Sequence, residues 1–578
     1  MAGYIPIDAK KALKKLREKK KPVSISAVAA LVLVLLFTVL FMRKGDLKLP
    51  ECKDCGAYNP ISPVFPGSLN KILNDEAFKL SSISHLSGAV QIPTQVFDNS
   101  PDPTGKKDDF LWRNFTVFQD YLQKTYPLVF EKFSFEKVNH HGMLMTWETE
   151  NTKGKKPMAF LSHQDVVPVD PTSIEKWTHP PFDGVYDPKN DYIYGRGVVD
   201  CKLLLISQFE SLSKLIEDGF EPTTRPIILS IGFDEEAMGS KGGAKLAEFL
   251  YERYGEHGLY GITDEGGLTA KTPEGDYIGM VIPSEKGYVD MFITLDSTES
   301  GHGSIPPVDG GAIVIMSKLG VSLYNDPYEP TITTNNPALE FLQCAAKYSP
   351  DYLPGLSKAM KSKSQSKLLD ATSSNLNIAY LFKTTQAMDI FNSGVKANAL
   401  PEQATLVVNH RIGLHSSVNA TKDHVLEHVL DLAKENDLSV SVVYADGAKE
   451  VVKPDGKHGN FTVTLYSSLE PTKISPTAGD ALYEIIAGTT VNTYQQTLFN
   501  PHGNASVYVS PFLSTGNMDM KYYGKLSDRQ YRYTAALLVP DSNIHTVDEK
   551  TTSKAFLSSI AYLYQLIPNI DAMSADED

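Results

Sequence analysis

Three short stretches between Ser162 and Ser240 carry residue types that could hold a divalent cation and move a proton. They are SHQDVVPV from Ser162, GRGVVDCK over 195–202 and GFDEEAMGS over 232–240. His163, Asp200 and the pair Glu235–Glu236 follow one another at intervals of about forty residues, each beside an apolar run. Imidazole nitrogens and carboxylate oxygens ligate hard or borderline dications, and a spare carboxylate beside them can act as a general base. Adjacent carboxylates repel unless one neutralises a cation. Glu235 and Glu236 therefore divide into one candidate ligand and one candidate base, although the run Asp234–Glu236 would also suit the start of a helix near Gly239. Asp165, two residues past His163, could accept the free ring N–H of a ligating histidine.

Bringing these groups together needs strands whose ends face one way. Met158–Ser162, Ile227–Phe233 and Gly261–Thr263 are short apolar runs. They lead to His163, to Glu235–Glu236 and to Asp264. Asp108–Tyr126, Leu203–Ile216 and Gly239–Tyr254 have the helical pattern, and Asp200 falls just before the second of them. Strand–helix–strand units of this kind predict an α/β fold with a mostly parallel central sheet. Such sheets bind ligands beyond the carboxyl ends of their strands.

The texture changes near Glu285. KGYVDMFITLDST alternates as a half-exposed strand does, and Asn377–Thr384 and Ala404–Arg411 look similar. Ala420–Glu435 reads as a helix capped by Asn419 or Thr421, and Leu438–Tyr444 as another strand. These elements predict a small α+β domain over 285–446, inserted between two parts of the α/β domain at 106–284 and 447–578. The second part closes on a helix, Ser553–Leu566. An insertion also lets His545 rejoin a site whose other members lie before residue 265.

The chain has 578 residues, 42 % of them apolar, enough for more than one core. Residues 1–44 hold ten Lys/Arg against Asp8 and Glu18, a balance of +8 that leaves about −22 on the rest. An acidic body excludes nucleic acid as the expected partner. Val23–Met42 is a run of twenty residues without a charge, roughly 30 Å long as a helix and about one hydrocarbon core. Eight basic residues precede it and Arg43 and Lys44 follow. The positive-inside rule then predicts a single-pass transmembrane helix, with a basic cytosolic tail at 1–22 and residues 43–578 in the lumen. Residues 43–105 read as a stalk leading into the body, with a helix near Ser68–Ser81. The sequons at Asn114, Asn419, Asn460 and Asn504 are consistent with a glycosylated lumenal body. Cys52 and Cys55 form a lone CxxC, too little for a zinc ribbon. Cys201 and Cys344 read as buried thiols.

Together the stretches closely resemble the co-catalytic zinc peptidases of the M20 family, over roughly residues 85–566. That family includes carboxypeptidases, aminoacylases and dipeptidases, and has a peptidase domain interrupted by a lid domain. The resemblance implies two Zn2+ ions, with Asp200 of Gly195-Arg-Gly-Val-Val-Asp200-Cys-Lys202 as the bridge. It gives His163 and Asp264 to one metal, and Glu236 and His545 to the other. Glu265 beside Asp264 leaves that ligand open by one residue, because the family uses either acid. It makes Glu235 the base, taking a proton from water and passing it to the leaving amine, and Asp165 an active-site carboxylate. In the lid, Arg411 in VVNHRIG matches the arginine that reads a substrate carboxylate, a role suited to a planar guanidinium. His302 in GHGSIPP and Asn398 in VKANALP match further substrate-binding positions, and in dimeric relatives the histidine comes from the partner subunit. Gly516 in STGNMD falls at a substrate loop whose usual Gly-Gly pair is here Thr515-Gly516. Small peptides are the implied substrates, with Gly before the released residue and a fungal vacuolar location if the likeness extends to such members. A homodimer through the lid is also implied.

No HExxH or GxSxG motif is present. Besides a metallocarboxypeptidase, the chain could be an N-acyl-amino-acid amidohydrolase, since both reactions cleave an amide whose amine side bears a carboxylate. A further alternative is a catalytically silent, membrane-tethered binding protein that keeps the fold, a reading that loss of Glu235 or a ligand would favour.

Overall fold

A computed structural model describes residues 48–49, 56–106, 109–308 and 310–574. The basic tail, the apolar run Val23–Met42, and Cys52 and Cys55 lie outside the described residues. Among the described residues no helix is long and apolar enough to cross a membrane.

Along the chain, β1 (Ser134–Val138), β2 (Gly142–Trp147), β3 (Met158–His163), β4 (Ile227–Gly232) and β5 (Gly261–Asp264) belong to a first sheet. Strands β6 (Gly287–Ser297), β7 (Thr385–Ser393), β8 (Gln403–Ile412), β9 (Ser439–Val443), β10 (Lys449–Lys453) and β11 (Gly459–Leu469) form a second. β12 (Gln530–Arg532) returns to the first. The first sheet has the order β1-β2-β4-β3-β5-β12, and its three pairings from β4 to β12 are parallel. β1 and β2 run antiparallel at one edge, so the sheet is mixed.

β4 is buried throughout, and its alternate residues serve two cores. Ile227, Leu229 and Ile231 pack with Leu205, Phe209 and Leu212 of α1 (Lys202–Glu217). Ile228 packs with Leu246 and Leu250 of α2 (Gly243–Tyr254). Helices on both faces explain why the strand reads as a continuous apolar run. Truncating such a residue to Ala costs about 2–5 kcal/mol. That packing fixes where β3, β4 and β5 end, and the ends carry the polar groups.

The second sheet has the order β7-β8-β6-β11-β9-β10, with one parallel pairing, β9 with β11. Its helices are α3 (Gly311–Asn325) and α4 (Val418–Glu435). Residues 447–578, expected to resume the first domain, begin with β10 and β11. This sheet therefore extends past 446 to Leu469. The block between α3 and β7 is helical. Leu339, Leu342, Leu368, Leu381 and Phe382 form a core with Ala270, Ile278 and Leu513, away from the lid sheet.

Two expected elements differ. The helix near Ser68–Ser81 is two helices, Pro66–Asn74 and Glu76–Val90, because the Asp75 carboxylate accepts from Phe78 N–H and starts the second. Asn377–Thr384 is helical rather than a strand. Asn375 caps Leu376–Ala379, and Ile378, Leu381 and Phe382 are buried in the helical block.

Candidate active site

His163 is the last residue of β3 and is buried. Its Nδ1 lies 3.0 Å from the Asp165 backbone carbonyl and 3.2 Å from Asp165 Oδ1. Both oxygens can only accept, so Nδ1 carries the proton and Nε2 presents a lone pair. Nε2 faces two carboxylates, Asp200 Oδ1 at 3.1 Å and Glu265 Oε1 at 3.1 Å. His545 repeats the pattern: its Nε2 lies 3.2 Å from Asp200 Oδ2 and 3.1 Å from Glu236 Oε2. Asp200 thus turns one oxygen to each histidine. The His545 side chain is 48 % exposed, so the cluster opens to solvent on that side.

The electrostatics are those of a cation site. Burial, then the Asp200 charge, pushes Glu265 up to about 8 and Glu236 up to about 7. Hydrogen bonds to Asp200 and then Glu236 raise His545 to about 10. Burial opposes the Asp200 charge, but His163 and His545 outweigh it and hold that carboxyl low. Glu265 Oε1 is buried with no hydrogen-bond partner. A ring nitrogen can serve only one acceptor, yet each Nε2 faces two carboxylates. Divalent cations would satisfy all these groups at once, and the N/O donor set suits zinc.

Asp264, the expected ligand, is occupied elsewhere. Its Oδ1 accepts from Glu265 N–H at 2.8 Å and its Oδ2 from Met520 N–H at 3.0 Å. Asp264 thereby holds the turn that aims Glu265 at His163, and the adjacent residue is the one in the cluster. Asp165 Oδ2 accepts from Glu236 N–H at 3.0 Å, tying the His163 and Glu236 loops together. The Glu235 carboxylate makes no hydrogen bond among the described residues. Burial, with Glu265 and Asp519 adding and His163 opposing, raises its pKa well above the usual range.

Arg411 lies on β8, opposite Tyr288 of β6, with its guanidinium 5.7 Å from that ring's centroid. Its Nη1 donates to Asn517 Oδ1 at 3.2 Å. Asn517 donates in turn to Glu285 Oε2 at 3.2 Å, and Glu285 pairs with buried Arg532 at 2.8 Å. Arg532 also donates to the carbonyls of Gly516 and Glu265, both at 2.9 Å. A polar chain therefore runs from Arg411 to the turn carrying Glu265. His302 and Asn398 meet at a small exposed two-stranded ribbon, in which Gly301–His302 pairs antiparallel with Ala399–Leu400 and Gly303 N–H donates to the Asn398 carbonyl. His302 Nδ1 lies 2.7 Å from Ser304 Oγ. Among the described residues, the hydrogen bonds of both stay within that ribbon.

Residues 159–569 match peptidase family M20/M25/M40, which is most of the chain. The chain belongs to this family. Carboxypeptidase S of Saccharomyces cerevisiae is 38 % identical over 535 residues, covering 91 % of this chain and 90 % of that protein. An N-fatty-acyl-amino acid synthase/hydrolase of Xenopus tropicalis is 27 % identical over 499 residues, covering 85 % and 86 %. The fold is similar to that of an M20 family metallo-carboxypeptidase from Sulfolobus solfataricus. The TM-score is 0.57 at 18 % identity, covering 85 % of this chain and 99 % of that one.

Several members of this M20 site carry no motif of their own. Buried Glu549 accepts from Arg196 Nη1 at 2.6 Å, Gly197 N–H at 3.0 Å, Val199 N–H at 2.9 Å and Asp200 N–H at 3.3 Å. One carboxylate, four residues past His545, thus fixes the loop that aims Asp200. The only signal for it in the sequence is an acid close to a candidate ligand. Arg532, Glu285 and Asn517 were equally silent, because each acts through partners remote in sequence. Of the sequons, Asn419 and Asn504 are exposed. Asn114 and Asn460 are half-buried, and their side-chain amides donate to the Pro93 carbonyl and to Thr462 Oγ1.

Proposed function

We propose that the chain is a di-zinc metallocarboxypeptidase that releases C-terminal residues from small peptides, with Gly favoured before the released residue. The observation that carries this is Asp200 set between two histidines, each facing a second carboxylate. His163, Asp200 and Glu265 would hold one ion, and Asp200, Glu236 and His545 the other, with Glu265 replacing the expected Asp264. Bound there, the two dications would polarise the scissile carbonyl and favour ionisation of water. Glu235, free of hydrogen bonds, would take the proton from the attacking water and deliver it to the leaving amine. Asp165 would keep His163 in the Nε2-ligating tautomer. His302 and Asn398 would reach substrate from the lid.

Arg411 would read the free carboxylate. It pairs with no carboxylate among the described residues, which leaves its fork available for two parallel bonds. Arg411→Ala is expected to lower kcat/KM on free-acid peptides by about thirty-fold or more, from a loss of about 2–5 kcal/mol. Metal content should not change. If the unmutated enzyme cuts C-terminally amidated peptides as well as free acids, Arg411 does not have this role.

Likeness to the N-fatty-acyl-amino acid synthase/hydrolase supports a second reading, hydrolysis of N-acyl amino acids. Arg411 would serve either reaction. Purified enzyme given N-blocked Gly-Leu and an N-fatty-acyl amino acid side by side separates them. Faster cleavage of the acyl amino acid would replace the peptidase reading.

The body is proposed to be lumenal, anchored by Val23–Met42, N-glycosylated and vacuolar. The lid is proposed to pair with a second copy. Its edge strand β7 exposes Ile390 and Phe391, and α3 exposes Ile313, Val314, Val321 and Tyr324. A carbonate-resistant, endoglycosidase-sensitive protein that sediments at twice the subunit mass is expected. Cytosolic protease access in intact vesicles would reject the topology, and a one-subunit mass would reject the pairing.

A further inference from the structure

The lid holds a second cluster of metal-ligating side chains, unrelated to the peptidase chemistry. His424 and His428 are four residues apart on α4 and so share one face. α3 packs beside α4 and ends at Asp326, which points at that face. His428 Nε2 lies 3.2 Å from Asp326 Oδ2, and His424 Nδ1 lies 4.0 Å from the same oxygen. Ligand atoms from all three residues fall within 4.8 Å of one another.

His428 Nδ1 lies 2.7 Å from Ser322 Oγ on α3. If that hydroxyl accepts the ring proton, the Nε2 lone pair is left facing Asp326, the orientation a second partner imposes on ligating histidines. Among the described residues His424 makes no hydrogen bond, and its Nε2 is buried without a partner. Its ring is held by Tyr328, with centroids 4.3 Å apart. Two imidazoles turned toward one carboxylate need either a proton or a cation between them. A tetrahedral ion with bonds of about 2.0–2.2 Å sets its ligand atoms roughly 3.3–3.6 Å apart, between the 3.2 Å of His428 and the 4.0 Å of His424 from Asp326 Oδ2. The Asp326 side chain is 64 % exposed, which leaves an approach for the ion and room for water in the remaining positions.

We propose that His424, His428 and Asp326 form a mononuclear divalent-metal site in the lid that joins the end of α3 to the middle of α4. Its two nitrogens and one oxygen select Zn2+, Ni2+ or Cu2+ over Mg2+ and Ca2+. The site stabilises the lid and takes no part in bond cleavage.

The test is zinc stoichiometry by equilibrium dialysis and elemental analysis of tag-free full-length protein. The double variant His424→Ala/His428→Ala should bind one equivalent less than the unmutated protein, with peptide hydrolysis unchanged. Asp326→Asn should weaken the same equivalent. Zinc added to metal-stripped protein should raise Tm less in the double variant, while the two stripped proteins melt alike. Equal zinc content in the double variant and the unmutated protein overturns the proposal and leaves only a His–Asp contact. The result is independent of the dinuclear centre. An unmutated chain that binds a single equivalent, lost in the double variant, would uphold the lid site and reject the peptidase centre.

Discussion

Asp200→Ala is expected to lose both active-site metals and all measurable peptide hydrolysis. Every other proposed ligand serves one ion. Asp200 alone turns Oδ1 to His163 and Oδ2 to His545. Without it, each Nε2 keeps one carboxylate neighbour, Glu265 or Glu236, and the cluster loses a carboxyl that His163 and His545 hold ionised. No nearby side chain can replace it, since Glu549 is fully engaged by Arg196 and three backbone N–H groups. The backbone contacts of the loop survive the substitution, so the variant should fold with an unchanged circular dichroism spectrum. Elemental analysis then decides. An active Asp200→Ala enzyme holding two metals would remove Asp200 as the bridge.

Parts of the site were legible for a physical reason. The candidate cation ligands at strand ends are legible because a short apolar run stops abruptly at a charged group. His163 and the Glu235–Glu236 pair are marked in this way, and the structure brings them together with Asp200 and His545. The Asp264–Glu265 register was not legible. Both are acids at the end of β5, and only the turn decides which one faces His163. Asp264 closes that turn by accepting from two backbone N–H groups, one of them from distant Met520. Glu549, Arg532 and Asn517 were invisible for the same reason, since their partners are backbone atoms or side chains far off in sequence.

The fold shows the same limits. β6 was readable because one face is buried and the other half-exposed, so its residues alternate. Asn377–Thr384 has the apolar content of a strand but folds as helix. A short apolar run has no period of its own, and here an Asn375 cap and a helical core decided the outcome. The second sheet runs past the expected boundary at 446 because β10 and β11 are polar on one side and resemble connecting chain. Their membership rests on pairing with β9 and β6, which are distant partners.

Glu235→Gln and Glu236→Gln should differ in kind, although the residues are neighbours. Glu236 faces His545 with both oxygens, Oε1 at 3.2 Å and Oε2 at 3.1 Å, and its backbone N–H is fixed by Asp165. A neutral amide there is a poorer ligand for a dication, so Glu236→Gln should lower metal occupancy. Glu235 touches neither histidine and its carboxylate makes no hydrogen bond among the described residues. Those are the properties of a group that moves protons rather than one that holds an ion. Glu235→Gln keeps the shape and the hydrogen-bonding capacity but cannot accept a proton from water. Positioned general-base catalysis is worth about 10²–10⁴-fold, so kcat should fall by at least that order with zinc content and KM nearly unchanged. Metal analysis and steady-state kinetics on both variants separate the roles. If Glu235→Gln loses metal while Glu236→Gln keeps it, the two assignments are reversed. If Glu235→Gln keeps full kcat, water is activated by another group and Glu235 has no part in the chemistry.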